Sequence, residues 1–353
     1  MKELFAKTIF SLAFCAFALP AYAAAPTAEN PLVLTMTTTF MDVHPTPKTL
    51  VAWGEEIKEA TGGRVVIEYY NPNTICPEGE IYDSVVSGLV QIGGHNVARV
   101  RGKFPLAGVM ELPFQYSSAE SGARSNWKMY EESPELQKEF SETHVLTFWS
   151  SAIDQIHSAS KDFSTLANLK GAKLAAMSAS YLDFISGLGA SPVQLSPTDV
   201  YLSMQRGQIE GNVCPMAYMR STKIYEAAKN SFICNAKASG FYLAMNKEVW
   251  DELPQDIKDV FNAKSGSVLA QRLSQATDKG AQDDTKFMVE QGHKVFNVAS
   301  DEKAKMQEAL KGISDAYIKE CEARGLGDAA KALMKLAAEN EAVFGPETQY
   351  PLN

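Results

Sequence analysis

Two α/β domains joined as a hinged clamshell are the fold class that the sequence predicts, and three observations carry it. Strand-like and helix-like segments alternate from Ala172 to Val213 at the spacing of a parallel sheet covered by helices. A second alternation, β-α-β-α-β, runs from Leu32 to Asn96. The chain has 353 residues, enough for two domains, yet no Pro- or Ser-rich linker divides it. Interleaved domains, joined by more than one crossing, produce that pattern and close by hinge bending.

The N-terminus reads as a leader. Lys2 and Lys7 precede an apolar run from Ile9 to Leu19, and Ala21-x-Ala23 offers a cleavage site. The run is well short of the ~20 residues that a membrane span needs. Cys15 lies within it, and Phe14 before that cysteine argues against lipid attachment. Residues 1–23 are therefore expected to be removed on export to the periplasm, and no other segment is apolar enough to cross a bilayer. The formal charge of −9 becomes −10 without Lys2, Lys7 and Glu3. An acidic chain without Lys/Arg runs excludes nucleic acid as a partner class. Cys76, Cys214, Cys234 and Cys321 remain, at spacings that form neither a disulfide framework nor a CxxC metal pattern. Free thiols and partial pairing both stay open.

Leu32–Thr38 reads as a strand, and Phe40 to Pro45 as a loop into a helix with Leu50, Trp53 and Ile57 on one face. Gly62-Gly63 ends that helix. Val65–Tyr70 is the next strand, Asn71–Asn73 a turn, and Ile81, Val85, Val86 and Leu89 mark a second helix. Val90–Gly93 is a strand ending at His95-Asn96. Helices follow over Ala119–Tyr130 and Glu135–Phe140, then a strand over Val145–Trp149. The first crossing comes there, and Asp154–Ser158 opens the second domain. Ala172–Met177 is a strand, Tyr181–Leu188 a helix stopped by Gly189, and Pro192–Leu195 a strand. Thr198 is a candidate cap for a helix over Val200–Arg206, with Asp199 favourable in its first turn. Gln208–Val213 is a strand, Ile224–Lys229 helical, and Ser239–Asn246 a strand returning to the first domain. Asp251 to Pro254 opens a helical region reaching Gly292, with Ile257, Val260, Phe261, Val268, Leu269 and Leu273 as apolar positions. Asp301–Gly325 and Asp328–Asn340 are further helices. The expected domains are 30–151 with about 242–285, and 152–241 with about 286–330, followed by a helix and tail over 331–353.

Catalytic signatures are missing. The sequence has no GxSxG, GxxxxGK[ST] or HExxH, and no GxGxxG after a strand. His44, His95, His144, His157 and His293 show no metal-ligand spacing, so neither metal nor cofactor is expected. Cys214 with His95 or His157 is the one thiol–imidazole pair that can be imagined. In sheets of this kind a ligand sits beyond the carboxyl ends of the strands, here Ala175 to Met177 and Val213 to Pro215.

LKGAKLAA, with the later YLDFISGLGASPVQLSPTDVYLSMQRGQIEGNVCP, resembles the core signature of the extracytoplasmic solute receptors of TRAP transporters, the dicarboxylate-receptor (DctP) family. That family's pattern is roughly LKGxKIRVP followed by GAxPVPxPFxEVYxALQxGxVDGQENP. The resemblance runs from about Leu32 to about Gly325. It implies a periplasmic-binding-protein-like clamshell with a long C-terminal helical region, no enzyme activity, and one small ligand in the interdomain cleft. It also implies two membrane partners, a small four-helix subunit and a large permease subunit. Val109 to Phe114 resembles the family's cleft-wall segment.

The family's ligand-contact residues are where this chain departs. Its carboxylate-binding arginine after LKGxK is replaced by Ala175-Ala176. A second arginine, in a G-x-R-like pattern, aligns with Asp154, and the asparagine of GQENP aligns with Cys214. A ligand carboxylate facing Asp154 would lack compensation, and an unpaired buried charge costs several kcal/mol. A carboxylate among aromatic rings suits an ammonium instead. The expected ligand-binding set is Asp154 with Trp149, Phe40, Tyr181, Tyr218 and Phe241 as aromatic candidates. Ala175, Met177, Cys214, His95, Asn96 and Glu111 complete it, with Asp42 as a fallback anion. A small amine or cation is the expected ligand. The alternatives are an organic acid held by Arg99, Arg101 or Arg220, a secreted enzyme on this scaffold, and a sensory receptor of the same fold.

Overall fold

The computed structural model of the protein describes residues 25–347, apart from 43, 101, 177–178 and 197–198. The expected leader, Met177, Thr198 and Arg101 lie outside the described residues. Eleven strands are present among those described: β1 Leu32–Thr38, β2 Val65–Tyr70, β3 Ile92–Asn96, β4 Thr143–Ser150, β5 Asp154–Ser158, β6 Lys173–Ala176, β7 Ser191–Gln194, β8 Gly211–Pro215, β9 Asn230–Lys237, β10 Gly240–Asn246 and β11 Lys294–Asn297. They form two mixed sheets, ordered β2-β1-β3-β10-β4 and β11-β9-β5-β8-β6-β7. β1 pairs in parallel with β2 and β3, while β10 lies antiparallel between β3 and β4. In the second sheet β6 is parallel to β7 and β8, and β5 is the antiparallel strand between β8 and β9. The α/β class with long C-terminal helices is as expected.

The antiparallel strands follow from the crossings. β4 leaves the first sheet and runs through Ser151–Ile153 into β5, and β9 leaves the second through Ala238-Ser239 into β10. The two crossing segments are tied together: Ser151 N–H donates to the Ser239 carbonyl at 2.9 Å, and Ser239 N–H donates to Ser151 Oγ at 2.9 Å. The long helix Gly266–Glu290 bridges behind them, packing on β4, on the helix Ala119–Glu132 and on the helix Met216–Ser221. From it, Asp278 accepts from Ala119 N–H (3.0 Å) and Glu120 N–H (2.8 Å), a carboxylate placed at the positive end of a helix.

Local chemistry accounts for the elements that position the sheets. The helix Pro45–Ala60 starts at His44, whose Nδ1 accepts from Thr46 N–H, and Pro occupies its first turn. Its Leu50, Trp53 and Ile57 are fully buried against the first sheet. The other face of that sheet is covered by an aromatic group including Phe140, Phe148 and Tyr242. The second sheet buries Leu174, Phe184 and Phe232 on one face and Ala175, Cys214 and Met219 among its partners on the other. Cys76, Cys214, Cys234 and Cys321 are all buried and unpaired.

Several expectations need correction. β9 and β11 were not anticipated: β9 is covered on both faces and shows no two-residue alternation, and β11 is a short, mostly exposed edge strand of four residues. β8 begins at Gly211 rather than Gln208, and Ile224–Lys229 holds only a 3-10 turn over Ile224–Glu226. The expected helix through Leu89 ends at Val86, leaving Leu89 57 % exposed. The region from Asp251 to Gly292 is not one helix: Lys247–Glu252 ends there, Gln255–Lys264 follows, and the chain breaks at Gly266 with φ +58°. That break turns Val268 to solvent, 48 % exposed. The residue capping Val200–Gln205 is Asp199, without a side-chain cap bond.

Two glycines make a test of this packing. A Cβ on Gly211 would collide with the His157 carbonyl oxygen and approach Leu174 and Phe163 at 2.9 Å, whereas one on Gly280, inside the long helix, meets nothing within 4 Å. Gly211→Ala is expected to destabilise the protein by about 3 kcal/mol, and Gly280→Ala to stabilise it by up to about 1 kcal/mol. Urea unfolding of both variants reads the pair; a neutral Gly211→Ala refutes the packing of β8 on β5.

Candidate functional site

Both sheets present their chain-turning ends to the same junction. From the first come Phe40 just past β1, Asn96 closing β3, Trp149 near the end of β4 and Phe241 at the start of β10. From the second come Asp154 opening β5, Ala176 closing β6, Cys214 near the end of β8 and Lys237 closing β9. The register places Asp154 opposite both Pro215 and Lys237.

Charge is concentrated here, and it is buried. Glu111, from the 3-10 segment Leu106–Glu111, accepts at Oε1 from Asn96 Nδ2 (2.8 Å) and Gly240 N–H (2.8 Å). Its Oε2 pairs with Lys237 Nζ at 2.6 Å. Lys237 is only 5 % exposed, and its Nζ lies 5.7 Å from the centre of the Tyr181 ring. Tyr181 Oη donates to Asp154 Oδ2 at 2.7 Å. Burial pushes the Asp154 carboxyl up to about 6, although the Lys237 charge and the Tyr181 hydrogen bond both draw it down; Glu111 adds to the rise. Two carboxylates thus share one ammonium, and Glu111 holds that ammonium directly.

An aromatic row lines the first sheet's edge. Phe40 sits 5.1 Å from Phe241 and 4.4 Å from His44, and Trp149 stacks on Phe241 at 5.3 Å. Phe40 is half-buried and fixed through its backbone, where Tyr69 Oη donates to its carbonyl at 2.5 Å. Trp149 is 1 % exposed, packed behind Phe241 in the core.

The remaining expected residues divide. His95 is buried beside Glu78, with Nε2 3.5 Å from Oε1, and burial holds its imidazole below the usual histidine range. Tyr218 is half-buried on the helix Met216–Ser221, its phenol pushed up to about 12 by burial. Ala175 and Cys214 are fully buried core residues. Asp42 is exposed on its loop. Of the arginines, Arg220 is committed to Asp284 at 2.5 Å and to the Phe287 ring, whereas Arg99 is exposed and acts on His95. The imagined thiol–imidazole pair is not assembled. His157 Nε2 meets the Cys214 carbonyl at 2.9 Å, and burial raises the Cys214 thiol well above its ordinary value. Such a thiol is a poor nucleophile. Among the described residues no three His, Cys, Asp or Glu side chains are grouped to hold a metal, and no helix is long and apolar enough to cross a membrane.

Sequence reasoning missed Lys237. It lies at the end of the unanticipated β9, so nothing marked it as interior. The one available signal was its position two residues before Ser239-Gly240, where the chain was expected to return to the first domain.

The comparisons with known proteins agree with this architecture. The model of the family "Bacterial extracellular solute-binding protein, family 7" (DctP) matches residues 36–320. A C4-dicarboxylate-binding periplasmic protein DctP of Vibrio cholerae is 20 % identical over 282 residues, 79 % of this chain and 84 % of that protein. A Sinorhizobium fredii relative is 20 % identical over 307 residues, and the match spans 86 % of this chain but about half (52 %) of that longer protein. Among solved structures, a TRAP periplasmic solute binding protein from Desulfovibrio salexigens superposes with a TM-score of 0.84 at 21 % identity, covering 90 % of this chain and 98 % of that one. Another, from Bordetella bronchiseptica with bound (R)- and (S)-mandelate, gives 0.74 at 23 % identity, covering 89 % and 100 %.

The uncompensated carboxyl gives a stability prediction. Asp154 ionises near 3.8 ordinarily and at about 6 in the folded protein. Between those values the folded state keeps a proton that the unfolded chain has lost, so stability falls as pH rises through the window and stays lower above it. Asp154→Asn is expected to add up to about 3 kcal/mol at pH 7.5, at about 1.4 kcal/mol per unit. The measurement is urea unfolding at pH 7.5 and pH 4. A destabilised variant at pH 7.5 means that Lys237 fully compensates Asp154.

Proposed function

The chain belongs to the bacterial extracellular solute-binding proteins of family 7, the solute receptors of TRAP transporters, and we propose that its ligand is a small amine-bearing or cationic molecule bound where the two sheet edges meet. The observation that supports this reading is the charge count at Asp154. With all groups ionised, Glu111, Asp154 and Lys237 sum to one net negative charge, and the carboxyl short of a partner is buried. A monocation completes the count, whereas an anion doubles the excess. Phe40, Tyr181, Tyr218 and Phe241 supply ring faces for an ammonium, at about 2 kcal/mol per desolvated contact. Tyr181, which satisfies Asp154 in this structure, is the group an incoming ammonium displaces.

In this reading the two sheets are the cores of two domains, 30–151 with 242–285 and 152–241 with 286–330. They hinge at the tied crossings Ser151 and Ser239 and close over the ligand. Export, a periplasmic location and delivery to a small four-helix subunit and a large permease subunit follow from the family's mode of action.

A second reading has its own support. Mandelate is bound by the Bordetella protein, and Lys237 is a buried cation at the site. In this reading an organic acid binds with Asp154 protonated and the exposed Arg99 as a further cation.

Thermal stabilisation against a panel of small amines and quaternary ammonium compounds, and one of mono- and dicarboxylates, separates the two. A ligand at 100 times its dissociation constant adds about 2.7 kcal/mol. Amines are expected to shift the midpoint, to lose affinity as pH falls through about 6 where Asp154 takes up a proton, and to lose it in Asp154→Asn. Stabilisation by carboxylates alone, strengthening on acidification, overturns the amine reading in favour of the acid.

A further inference from the structure

A second set of buried titratable groups lies within the second sheet, farther along β5 from Asp154. His157 on β5 and Ser231 on β9 are fully buried, and His293, just ahead of β11, is 4 % exposed. His157 Nδ1 is 2.7 Å from Ser231 Oγ, and its Nε2 is 2.9 Å from the Cys214 carbonyl oxygen. Ser231 Oγ is also 2.6 Å from His293 Nε2, whose ring partner Nδ1 is 3.0 Å from the Ala228 carbonyl oxygen.

Counting hydrogens in this chain gives an uneven total. Carbonyl oxygens only accept, so His157 Nε2 and His293 Nδ1 must each carry a hydrogen. The serine hydroxyl has one hydrogen and faces two ring nitrogens. It can donate to one of them, and the other must donate to it. Three of the four ring nitrogens therefore carry hydrogen, while two neutral imidazoles supply only two. We propose that His157, Ser231 and His293 together form a proton-binding site, holding one hydrogen more than two neutral rings and titrating as one unit.

The surroundings set the opposing force. The ionisable groups on the packed strands are Asp154 on β5, Cys214 on β8, Lys229 before β9, Cys234 and Lys237 on it, and Lys294 on β11, and the last turns of the long helix carry Asp283, Asp284, Lys286 and Glu290. Of these, Lys229 acts on His293 and disfavours its charge, and no carboxylate offsets the pair. Burial, with the bond to the Cys214 carbonyl drawing it up and the His293 charge lowering it further, leaves His157 pushed down to about 3. The hydrogen count works against burial, because a neutral pair leaves two lone pairs facing across one contact of 3.0 Å or less. Removing the hydroxyl abolishes that demand: each ring can then be neutral and still donate to its own carbonyl.

The experiment is a count of ring hydrogens. The protein, labelled with 15N-histidine, is titrated from pH 7.5 to 4.5 by two-bond 15N–1H spectra, with His157→Gln and His293→Gln assigning the signals. The two rings are expected to take up one proton together, and Ser231→Ala is expected to lower that midpoint by about one pH unit, the worth of one such bond. Ser231→Thr, which keeps a hydroxyl, is expected to leave it in place. Two ring hydrogens throughout the range in the native protein overturn the proposal even if Ser231→Ala does not fold. So does a Ser231→Ala titration matching the native one.

Discussion

Lys237 reaches from the last residue of one sheet to Glu111, which is anchored to the other sheet through Asn96 and the Gly240 amide. The contact is buried and sits beside the place where the chain passes between the sheets. Two oppositely charged groups withdrawn from water are stable only while both stay in place, and losing either costs about 3–5 kcal/mol. The relative position of the two sheet edges in this structure is therefore coupled to one ion pair. Everything else at the junction is arranged around it. The hydroxyl of Tyr181 satisfies Asp154, the Lys237 ammonium lies over the Tyr181 ring, and Asn96 orients the carboxylate that holds the lysine. Opening the junction means parting Glu111 from Lys237, and the solvent that enters must rehydrate both.

That arrangement differs in kind from a site built on arginine. A guanidinium forks onto a carboxylate with fixed geometry and cannot be neutralised. A lysine is a movable point charge, and a carboxyl that titrates near 6 can change its charge within an ordinary range of pH. The junction thus has two adjustable members where a fork-and-carboxylate site has none, so the charge it carries depends on conditions as well as on sequence.

Much of the fold was legible because local rules agreed with the tertiary result. β1 and β2 fall where their residue types and the turn residues after them put them, and Leu50, Trp53 and Ile57 bury the face their spacing indicates. The failures have a common cause. β9 carries Asn230, Cys234 and Asn235 and is covered on both faces, so neither hydrophobic alternation nor composition distinguishes it from a loop. Missing that strand hid Lys237, and with it the cation that stands opposite Asp154. Asp154 was legible through the family resemblance, as an acid standing where that pattern has an arginine. Tyr181 and Glu111 were in the expected set, but their pairing with Asp154 and Lys237 was not foreseen, because the four lie far apart in sequence and only the interleaved topology gathers them. Trp149 marked a strand end correctly but packs behind Phe241, a distinction that depends on which face of the strand meets the core.

The four unpaired cysteines carry a kinetic consequence. Cys76, Cys214, Cys234 and Cys321 are shielded once the chain is folded, and burial keeps Cys214 and Cys234 in the unreactive thiol form. None of that protection exists before folding. In an oxidising compartment, four exposed thiols allow three complete pairings, whereas this structure keeps all four unpaired. There, folding must outrun oxidation. The native state is a redox refuge reached by a race, and any change that slows the burial of these strands lengthens the interval in which a wrong disulfide can end it.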